Sequence, residues 1–197
     1  MRSGDAVNRR IYGSYKAELF GILDGVVLDL GAGTGLNLAH APSTVTTWIA
    51  AEPNTAFHPD ILQEAQRHPF AVEVTSMDAH SLELSDESVD AVVCTLVLCS
   101  VDQPEVVLSE IVRVLKPGAP LIFIEHVAAD AKSHKIAQDV FNPLNRAIAD
   151  GCNCNRDTLS VIKRSGLNLQ QYEARKVKGI TWFHSPHIMG IAAKPER

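Results

Sequence analysis

Hydrophobic positions follow two different spacings along the chain. Short runs rich in β-branched residues alternate with longer segments in which apolar residues recur every three or four positions. The short runs predict strands at 26–30, 45–50, 70–76, 89–95, 120–127, 167–177 and 186–194. The longer segments predict helices at 9–23, 54–67, 103–115, 133–150 (interrupted near Asn142-Pro143) and 155–166. This alternation predicts one α/β domain with an open, mostly parallel sheet and helices on both faces.

Two of these segments carry extra detail. The run 89–95 is nearly all apolar, as expected of a central parallel strand that is buried on both faces. The helix over 103–115 has Pro104 in its first turn, and Asp102 is its expected N-cap. We expect the last two strands to form an antiparallel edge.

Composition narrows the function classes. The 197 residues suit a single domain, and 46% hydrophobic with 21% charged residues is an ordinary globular composition. The net charge is -5 and no basic tract occurs, so no nucleic-acid partner is expected. No signal peptide and no transmembrane span are predicted. The expectation is therefore a monomer in the reducing cytoplasm, with a small molecule as its partner.

The stretch VVLDLGAGTGLNLA carries the most chemical information. Gly31, Gly33 and Gly35 follow a predicted strand and are expected to lead into a helix, so the backbone here can approach a ligand closely. The loop lacks the lysine of a phosphate-binding loop, and Leu36 stands where a dinucleotide fingerprint has a small residue. Asp29 would repel a pyrophosphate and favours a cationic ligand such as S-adenosylmethionine. A plain strand-to-helix turn is the structural alternative.

Two further acids follow the next strands. A carboxylate at Glu52 can accept hydrogen bonds from both ribose hydroxyls of a nucleoside. Asp78 can accept one from an adenine amino group, while the Ala79 amide donates to the ring. Either acid alone would fit a solvated surface group. Together with Asp29 they lie at the same edge of a parallel sheet.

These motifs in combination resemble a known family. DLGAGTG, Glu52, MDAH, SDESVDAVVCT and LKPGAPLIFIEH are similar to the class I S-adenosylmethionine-dependent methyltransferases across most of the chain. The resemblance implies a seven-stranded Rossmann-like sheet with an antiparallel last strand. It implies a lid helix at 1–23, a cofactor-binding core at 24–130, and C-terminal helices with the last two strands at 131–197. The cofactor-binding residues it implies are Asp29, Gly31, Ala32, Gly33, Glu52, Pro53, Asp78, Ala79, Thr95 and Leu96.

A narrower resemblance covers residues 12–194. GSYKAELF, VVCTLVLCSV, EHVAA, DGCN and PHIMGIA are similar to animal methyltransferase-like proteins that methylate alkyl thiols and hydrogen sulfide. The resemblance implies a thiol acceptor. Those relatives carry an N-terminal hydrophobic membrane anchor, and no stretch of this sequence predicts one.

His126 is the expected general base, because it ends the fifth predicted strand at the ligand-facing edge. Glu125 should point to the opposite face. A hydrogen bond to the following helix is the alternative role of His126. The residues expected to line or roof the substrate pocket are Cys99, Trp182, Phe183, His184, Tyr12 and Tyr15, with core packing as their alternative.

The cysteines are not expected to be chemical groups. Cys152 and Cys154 form C-x-C without a second pair, so no metal site is predicted. Cys94 reads as a small buried hydrophobe, and neither Cys94 nor Cys99 has a neighbouring histidine in sequence that would activate it.

The sequence thus predicts methyl transfer from S-adenosylmethionine to a small lipophilic acceptor. The loop after Thr95 is apolar and sulfur-bearing, where many amine methyltransferases carry Asp or Asn with Pro-Pro, so a thiol is favoured. A phenol or quinone, a lipid, or another small metabolite are alternative acceptors. A binding module that senses S-adenosylmethionine is the non-enzymatic alternative, and a nicotinamide dehydrogenase is disfavoured by Leu36 and Asp29.

Overall fold

The computed structural model describes residues 3–196, with side chains described from Asn8 onward. Its strands are β1 (Gly25–Leu30), β2 (Val45–Ala51), β3 (Ala71–Thr75), β4 (Ala91–Thr95), β5 (Pro120–His126), β6 (Asn168–Lys176) and β7 (Pro186–Ala193). Its α-helices are α1 (Ser3–Leu19), α2 (His58–Ala65), α3 (Pro104–Val114), α4 (Lys132–Ile148) and α5 (Thr158–Arg164). The ends of the predicted segments 1–23 and 131–197 lie outside the described residues.

All of these strands form one sheet, in the order β3-β2-β1-β4-β5-β7-β6. β7 is antiparallel to both of its neighbours, and the other neighbouring pairs are parallel. The predicted seven-stranded, mostly parallel sheet with an antiparallel last strand is confirmed. Because β1, β2 and β4 run the same way, the residues that follow them meet at one edge of the sheet.

The centre of the sheet is buried on both faces, which explains the apolar composition of β4. Val92 and Cys94 belong to the core cluster that contains α3 and α5, whereas Ala91 and Val93 belong to the cluster that contains α1 and α2. Successive side chains of a strand point to opposite faces, so each layer of helices receives alternate residues. Burying one such valine contributes roughly 1.5–3 kcal/mol.

Helix α4 runs through Pro143 without interruption, so the predicted break near Asn142-Pro143 is wrong. Proline removes one hydrogen bond to the carbonyl four residues earlier. Pro143 and Asp139 are both exposed. Water can therefore replace that bond, and the helix continues.

Two other local expectations are wrong. Gln103 is the N-cap residue of α3 and makes no side-chain cap, while Asp102 pairs with Arg146 at 3.3 Å. No α-helix follows the glycine loop, because the chain forms turns and a short 3₁₀ helix at Leu38–His40. The amide of Leu38 bonds to the Gly35 carbonyl in the tighter 3₁₀ pattern.

Within residues 3–196, the helices are too short or too polar for any of them to cross a membrane.

Candidate active site

A cavity of about 290 Å³ lies at the C-terminal end of β1, between the glycine loop and α1. We call it the glycine-loop cavity. Its lining residues are Asn8, Lys16, Gly31, Ala32, Gly33, Thr34, Leu36, Asn37 and Thr95. The predicted residues Gly31, Ala32, Gly33 and Thr95 therefore meet in one cavity, and α1 forms its wall.

Gly33 gives this cavity its open floor. Its φ is +56°, a conformation that residues with a Cβ rarely adopt. A Cβ built here would meet only the Gly31 carbonyl oxygen, at 4.0 Å, so the position faces open space. A ligand can consequently approach the backbone closely at Gly33.

Asp29 lies beneath the cavity. Its Oδ1 accepts a 2.7 Å hydrogen bond from the Asn37 amide, and Asn37 itself lines the cavity. Among the described residues, Oδ2 has no partner at hydrogen-bond distance, although the Trp48 indole favours the charged form from farther away. Burial raises the pKa of Asp29 to about 7, against the opposing effects of Asn37 and Lys16. Asp29 thus acts on a ligand in the cavity in two ways. It positions Asn37, which lines the cavity, and its ionised carboxylate attracts a cation.

Lys16 of α1 contributes a positively charged side chain to the lining of the glycine-loop cavity. Burial lowers the pKa of Lys16 to about 8, while nearby Asp29 opposes that shift. Its Nζ donates to Asn8 Oδ1 at 3.3 Å. α1 therefore places a buried ammonium at the cavity wall.

Glu52 connects the second strand to the glycine loop. Its two carboxylate oxygens accept hydrogen bonds from the backbone amides of Gly33, at 2.8 Å, and Asn54, at 2.9 Å. These bonds hold the carboxylate beside Gly33, which lines the cavity. The adjacent Pro53 is exposed.

Asp78 lies farther out at the same sheet edge. Its Oδ1 accepts hydrogen bonds from the His80 backbone amide, at 2.9 Å, and interacts with His80 Nδ1, at 2.7 Å. These bonds lower the pKa of Asp78. Ala79 packs against the hydrophobic core. The structure leaves Asp78 at the surface, with His80 as its partner.

A buried carboxylate organises the loop after β4, residues 96–101, which we call the β4 loop. Glu125 accepts backbone hydrogen bonds from Val97 and Leu98 at Oε1, at 2.9 and 3.0 Å, and from Cys99 at Oε2, at 2.9 Å. Burial raises the pKa of Glu125, and the amide donors oppose the rise. Sequence reasoning placed Glu125 on the face opposite His126 but missed this role. An acid within an otherwise apolar strand was the available signal.

The chain has an unusual backbone conformation just after β4. Leu96 has φ +61°, which is uncommon for a residue with a side chain, and its amide donates to the Ile124 carbonyl at 2.8 Å. The Thr95 hydroxyl donates to Asn37 Oδ1 at 3.5 Å. Thr95 therefore lines the glycine-loop cavity, and Leu96 begins the β4 loop.

Three side chains that are distant in sequence meet beside the β4 loop. The sulfur atoms of Cys99 and Cys152 lie 3.7 Å apart, and His126 Nδ1 lies 3.6 Å from the first and 3.4 Å from the second. We call this group the sulfur–imidazole cluster. The sequence forced no histidine beside Cys99, but in the structure β5 places His126 there.

The protonation states in the cluster differ. The hydrogen bond with Cys152, together with burial, raises the pKa of Cys99. The same hydrogen bond lowers the pKa of Cys152, against the effect of burial. The less buried Cys152 is thus the favoured thiolate. Burial lowers the pKa of His126 well below its ordinary value, so its imidazole is neutral at pH 7.

α1 covers this cluster through Tyr12. The buried Tyr12 hydroxyl lies 2.8 Å from His187 Nε2, and the His187 ring centre lies 4.5 Å from that of His126. Burial raises the pKa of Tyr12 and lowers that of His187 to about 4, so both are neutral. Since His187 Nδ1 donates to the Ser185 carbonyl at 3.1 Å, its Nε2 accepts from Tyr12.

The other predicted pocket residues divide into two groups. The His184 ring lies 5.0 Å from His126, so it reaches the cluster. Trp182 and Phe183 instead stack on α4, at 3.8 Å from His134 and 4.2 Å from Phe141. These two aromatics anchor the loop to α4.

Tyr15 also points elsewhere. Its ring lies 4.7 Å from the Arg175 guanidinium of β6 and lines a different cavity, with Gln171 and Glu173. The structure does not bring Tyr15 to the cluster, because its side chain packs against β6.

Comparison with known proteins decides the family. The methyltransferase domain family matches residues 28–123. The thiol S-methyltransferase TMT1B of Homo sapiens is 36% identical over 194 residues, covering 92% of this chain and 79% of that protein. The thiol S-methyltransferase TMT1A of Homo sapiens is 37% identical over 175 residues, covering 85% and 70%. The chain belongs to the class I methyltransferases.

The fold agrees with that assignment. A solved geranyl diphosphate methyltransferase in complex with SAM superposes with a TM-score of 0.74 at 13% identity, over 98% of this chain and 91% of that one. As a member of the class I methyltransferases, the chain uses S-adenosylmethionine as its cofactor. The glycine-loop cavity fits it, because Gly33 leaves the floor open and the buried Asp29 supplies negative charge beneath a cationic ligand.

Proposed function

We propose that this methyltransferase methylates a small lipophilic thiol. The sulfur–imidazole cluster carries the proposal, because it places soft, weakly polar groups at the end of the β4 loop, where an amine site would need carboxylate or amide acceptors. The 36% identity to a protein named thiol S-methyltransferase supports the same acceptor class.

The cofactor contacts are part of the proposal. Glu52 binds the ribose hydroxyls, Asp78 and Ala79 bind the adenine, and Asn37 carries the influence of Asp29 to the methionine moiety. The position of Glu52 on the Gly33 amide supports this arrangement. Pro53 and Leu96 flank the same ligand.

The protein must convert the acceptor thiol to its thiolate before methyl transfer. Bound S-adenosylmethionine supplies a methyl group on a good leaving group, so the protein mainly orients the acceptor and excludes water. A thiol has an ordinary pKa of about 8.5, so a nearby base suffices to deprotonate it at neutral pH. The neutral His126 can take this proton at Nε2 when its Nδ1–H is directed at Cys152.

A labelled-methyl assay tests the acceptor class. We expect transfer from labelled S-adenosylmethionine to alkyl thiols, with little transfer to phenols, quinols, lipids or amines of similar size. His126→Gln should lower kcat on thiols by about 100-fold and remove the acidic limb of the rate profile. The matched control His68→Gln, which changes a half-buried histidine beside Phe70, should leave both unchanged. Equal or greater transfer to phenols or amines would refute a thiol acceptor, and tight cofactor binding without any transfer would indicate a sensor.

Cofactor binding is tested separately by titration calorimetry. Glu52→Ala should weaken S-adenosylhomocysteine binding by about 1–3 kcal/mol, the usual cost of a lost charge-assisted hydrogen bond. Glu73→Ala removes an exposed carboxylate on β3 and should have no effect. If both variants bind like the parent chain, the ribose assignment is wrong.

The remaining expectations stay predictions. These are a monomeric state, a cytoplasmic location and the absence of a nucleic-acid partner, and the net charge of -5 supports only the last of them. Size-exclusion chromatography with light scattering tests the first of these.

A further inference from the structure

We propose that Cys99, Cys152 and His126 form a zinc site whose fourth position takes the acceptor thiol. Sequence spacing predicted no metal site, because Cys152-x-Cys154 has no second pair nearby. The fold supplies the missing ligands from β5 and the β4 loop. The site itself stands independently of the proposed function, and only the identity of the fourth ligand rests on it.

The geometry matches a zinc ion closely. Zn–S bonds of about 2.3 Å and Zn–N bonds of about 2.05 Å at the tetrahedral angle place two sulfurs about 3.8 Å apart and each sulfur about 3.6 Å from the nitrogen. The corresponding distances are 3.7 Å between the sulfurs, and 3.6 and 3.4 Å from the sulfurs to His126 Nδ1. The three atoms thus already form one face of a coordination tetrahedron.

The donor set also selects the metal class. Two thiolates and one imidazole favour a soft or borderline ion such as zinc over magnesium or calcium, which prefer oxygen ligands. Three protein ligands with one open position are characteristic of catalytic zinc sites, whereas structural sites use four. Cys154 is not a fourth ligand, because its sulfur contacts Asn142 Oδ1, at 3.7 Å.

Several hydrogen bonds hold Cys152 beside Cys99. The Asn153 amide donates to the Cys99 carbonyl at 2.7 Å, and Asn145 Nδ2 donates to the Cys152 carbonyl at 2.7 Å. Arg156 Nη1 donates to the Val101 carbonyl at 2.7 Å and also bonds the Leu98 carbonyl. The segment after α4 is therefore fixed to the β4 loop through backbone groups that do not depend on the sulfurs.

A metal here would change how the thiolate forms. An acceptor thiol that binds zinc as thiolate releases its proton to solvent, so His126 serves as a ligand in place of its role as base. Methyl transfer then forms one sulfur–carbon bond as the sulfonium–carbon bond breaks, and no oxidant or reductant is required. The thioether product is a weaker zinc ligand than the thiolate, which favours its release.

Cobalt titration of the full chain tests the site. Chelator-treated protein in a reducing buffer should bind one Co²⁺ per chain, with thiolate-to-cobalt charge-transfer absorption and the visible bands of tetrahedral cobalt. Zinc should displace the cobalt. Cys99→Ser and Cys152→Ser should each weaken binding by about 100-fold or more. The matched control Cys154→Ser removes a buried thiol two residues away and should bind like the parent chain.

Two measurements on the parent chain keep the test independent of variant folding. Zinc should raise its Tm, and an added alkyl thiol should shift the cobalt bands. The absence of a cobalt spectrum, or a spectrum that persists in Cys152→Ser, would overturn the site. Loss of two titratable thiols to a disulfide, without metal uptake, would also overturn it.

Activity assays distinguish the zinc site from the proposed methylation of a thiol with His126 as base. If chelator-treated and zinc-loaded protein methylate thiols equally well, the metal has no catalytic part and the base role of His126 stands. If the protein binds cobalt but methylates no thiol, the metal site stands and the acceptor assignment fails.

Discussion

Replacing Glu125 by glutamine tests whether one buried carboxylate holds the β4 loop in place. The carboxylate accepts three backbone N–H groups of the β4 loop, at 2.9–3.0 Å. Glutamine keeps the size of the side chain but has a single acceptor oxygen. If that oxygen keeps the Val97 and Leu98 amides, the glutamine NH₂ group must face the Cys99 N–H, donor against donor.

The magnitude follows from these contacts. The buried Cys99 amide loses the carboxylate oxygen that accepts its hydrogen bond, which costs about 1–3 kcal/mol. The other two bonds lose charge assistance, about 1 kcal/mol each, while the neutral amide is about 1–2 kcal/mol cheaper to bury than a carboxylate. We expect Glu125→Gln to lower the free energy of unfolding by about 1–4 kcal/mol.

Chemical denaturation measures this change, and hydrogen exchange locates it. A loss of that size lowers Tm by roughly 2–16 °C in a domain of this length. The amides of residues 97–99 should lose protection more than those of β1, and KM for the acceptor should rise more than the Kd of the cofactor. Glu73→Gln, on the exposed side of β3, should change stability by less than about 0.5 kcal/mol. Unchanged stability and protection in Glu125→Gln would refute the reasoning.

Three further predictions address other parts of the molecule. The folded-state pKa of Asp29, about 7, exceeds its ordinary 3.8, so protonation favours the folded state. This contribution is full below about pH 4 and is lost as the pH rises through about 7, and Asp29→Asn should flatten that part of the stability–pH curve measured by denaturant titration. Gly151→Ala should destabilise more than Gly166→Ala, because both have positive φ but only at Gly151 does a Cβ meet a carbonyl oxygen at 3.0 Å; equal Tm losses would contradict this. Gln138→Leu should cost about 2–4 kcal/mol by calorimetry, because its amide nitrogen serves three carbonyls, whereas the exposed Gln63→Leu should be neutral.

The order and type of the main elements could be read from the sequence, because they depend on spacing that is local along the chain. Short runs rich in β-branched residues identified the seven strands of residues 3–196, and apolar spacing by three or four residues identified α1 to α5. Single-residue details were less predictable. Pro143 stays within α4 because its surroundings are exposed, and Asp102 pairs with Arg146 instead of capping α3. Such outcomes depend on neighbours that arrive from other elements.

The same distinction between local and long-range determinants holds for the candidate site. The sequence alone determined the glycine loop and the acids near the C-terminal ends of β1, β2 and β3, since strands that run parallel bring these ends to one edge. Only the tertiary structure decided that Asn37 stands between Asp29 and the cavity, and that Glu125 gathers the β4 loop.

The sulfur–imidazole cluster shows the same limit most clearly. Cys99 in the β4 loop and Cys152 after α4 are 53 residues apart in sequence. His126 lies between them in sequence, at the end of β5. No periodicity encodes which distant side chains will meet, because that depends on the order of strands in the sheet and on the hydrogen bonds that fix the intervening loops. The sequence by itself determined the methyltransferase fold and its glycine-loop edge, and the tertiary packing decided which side chains meet beside the β4 loop.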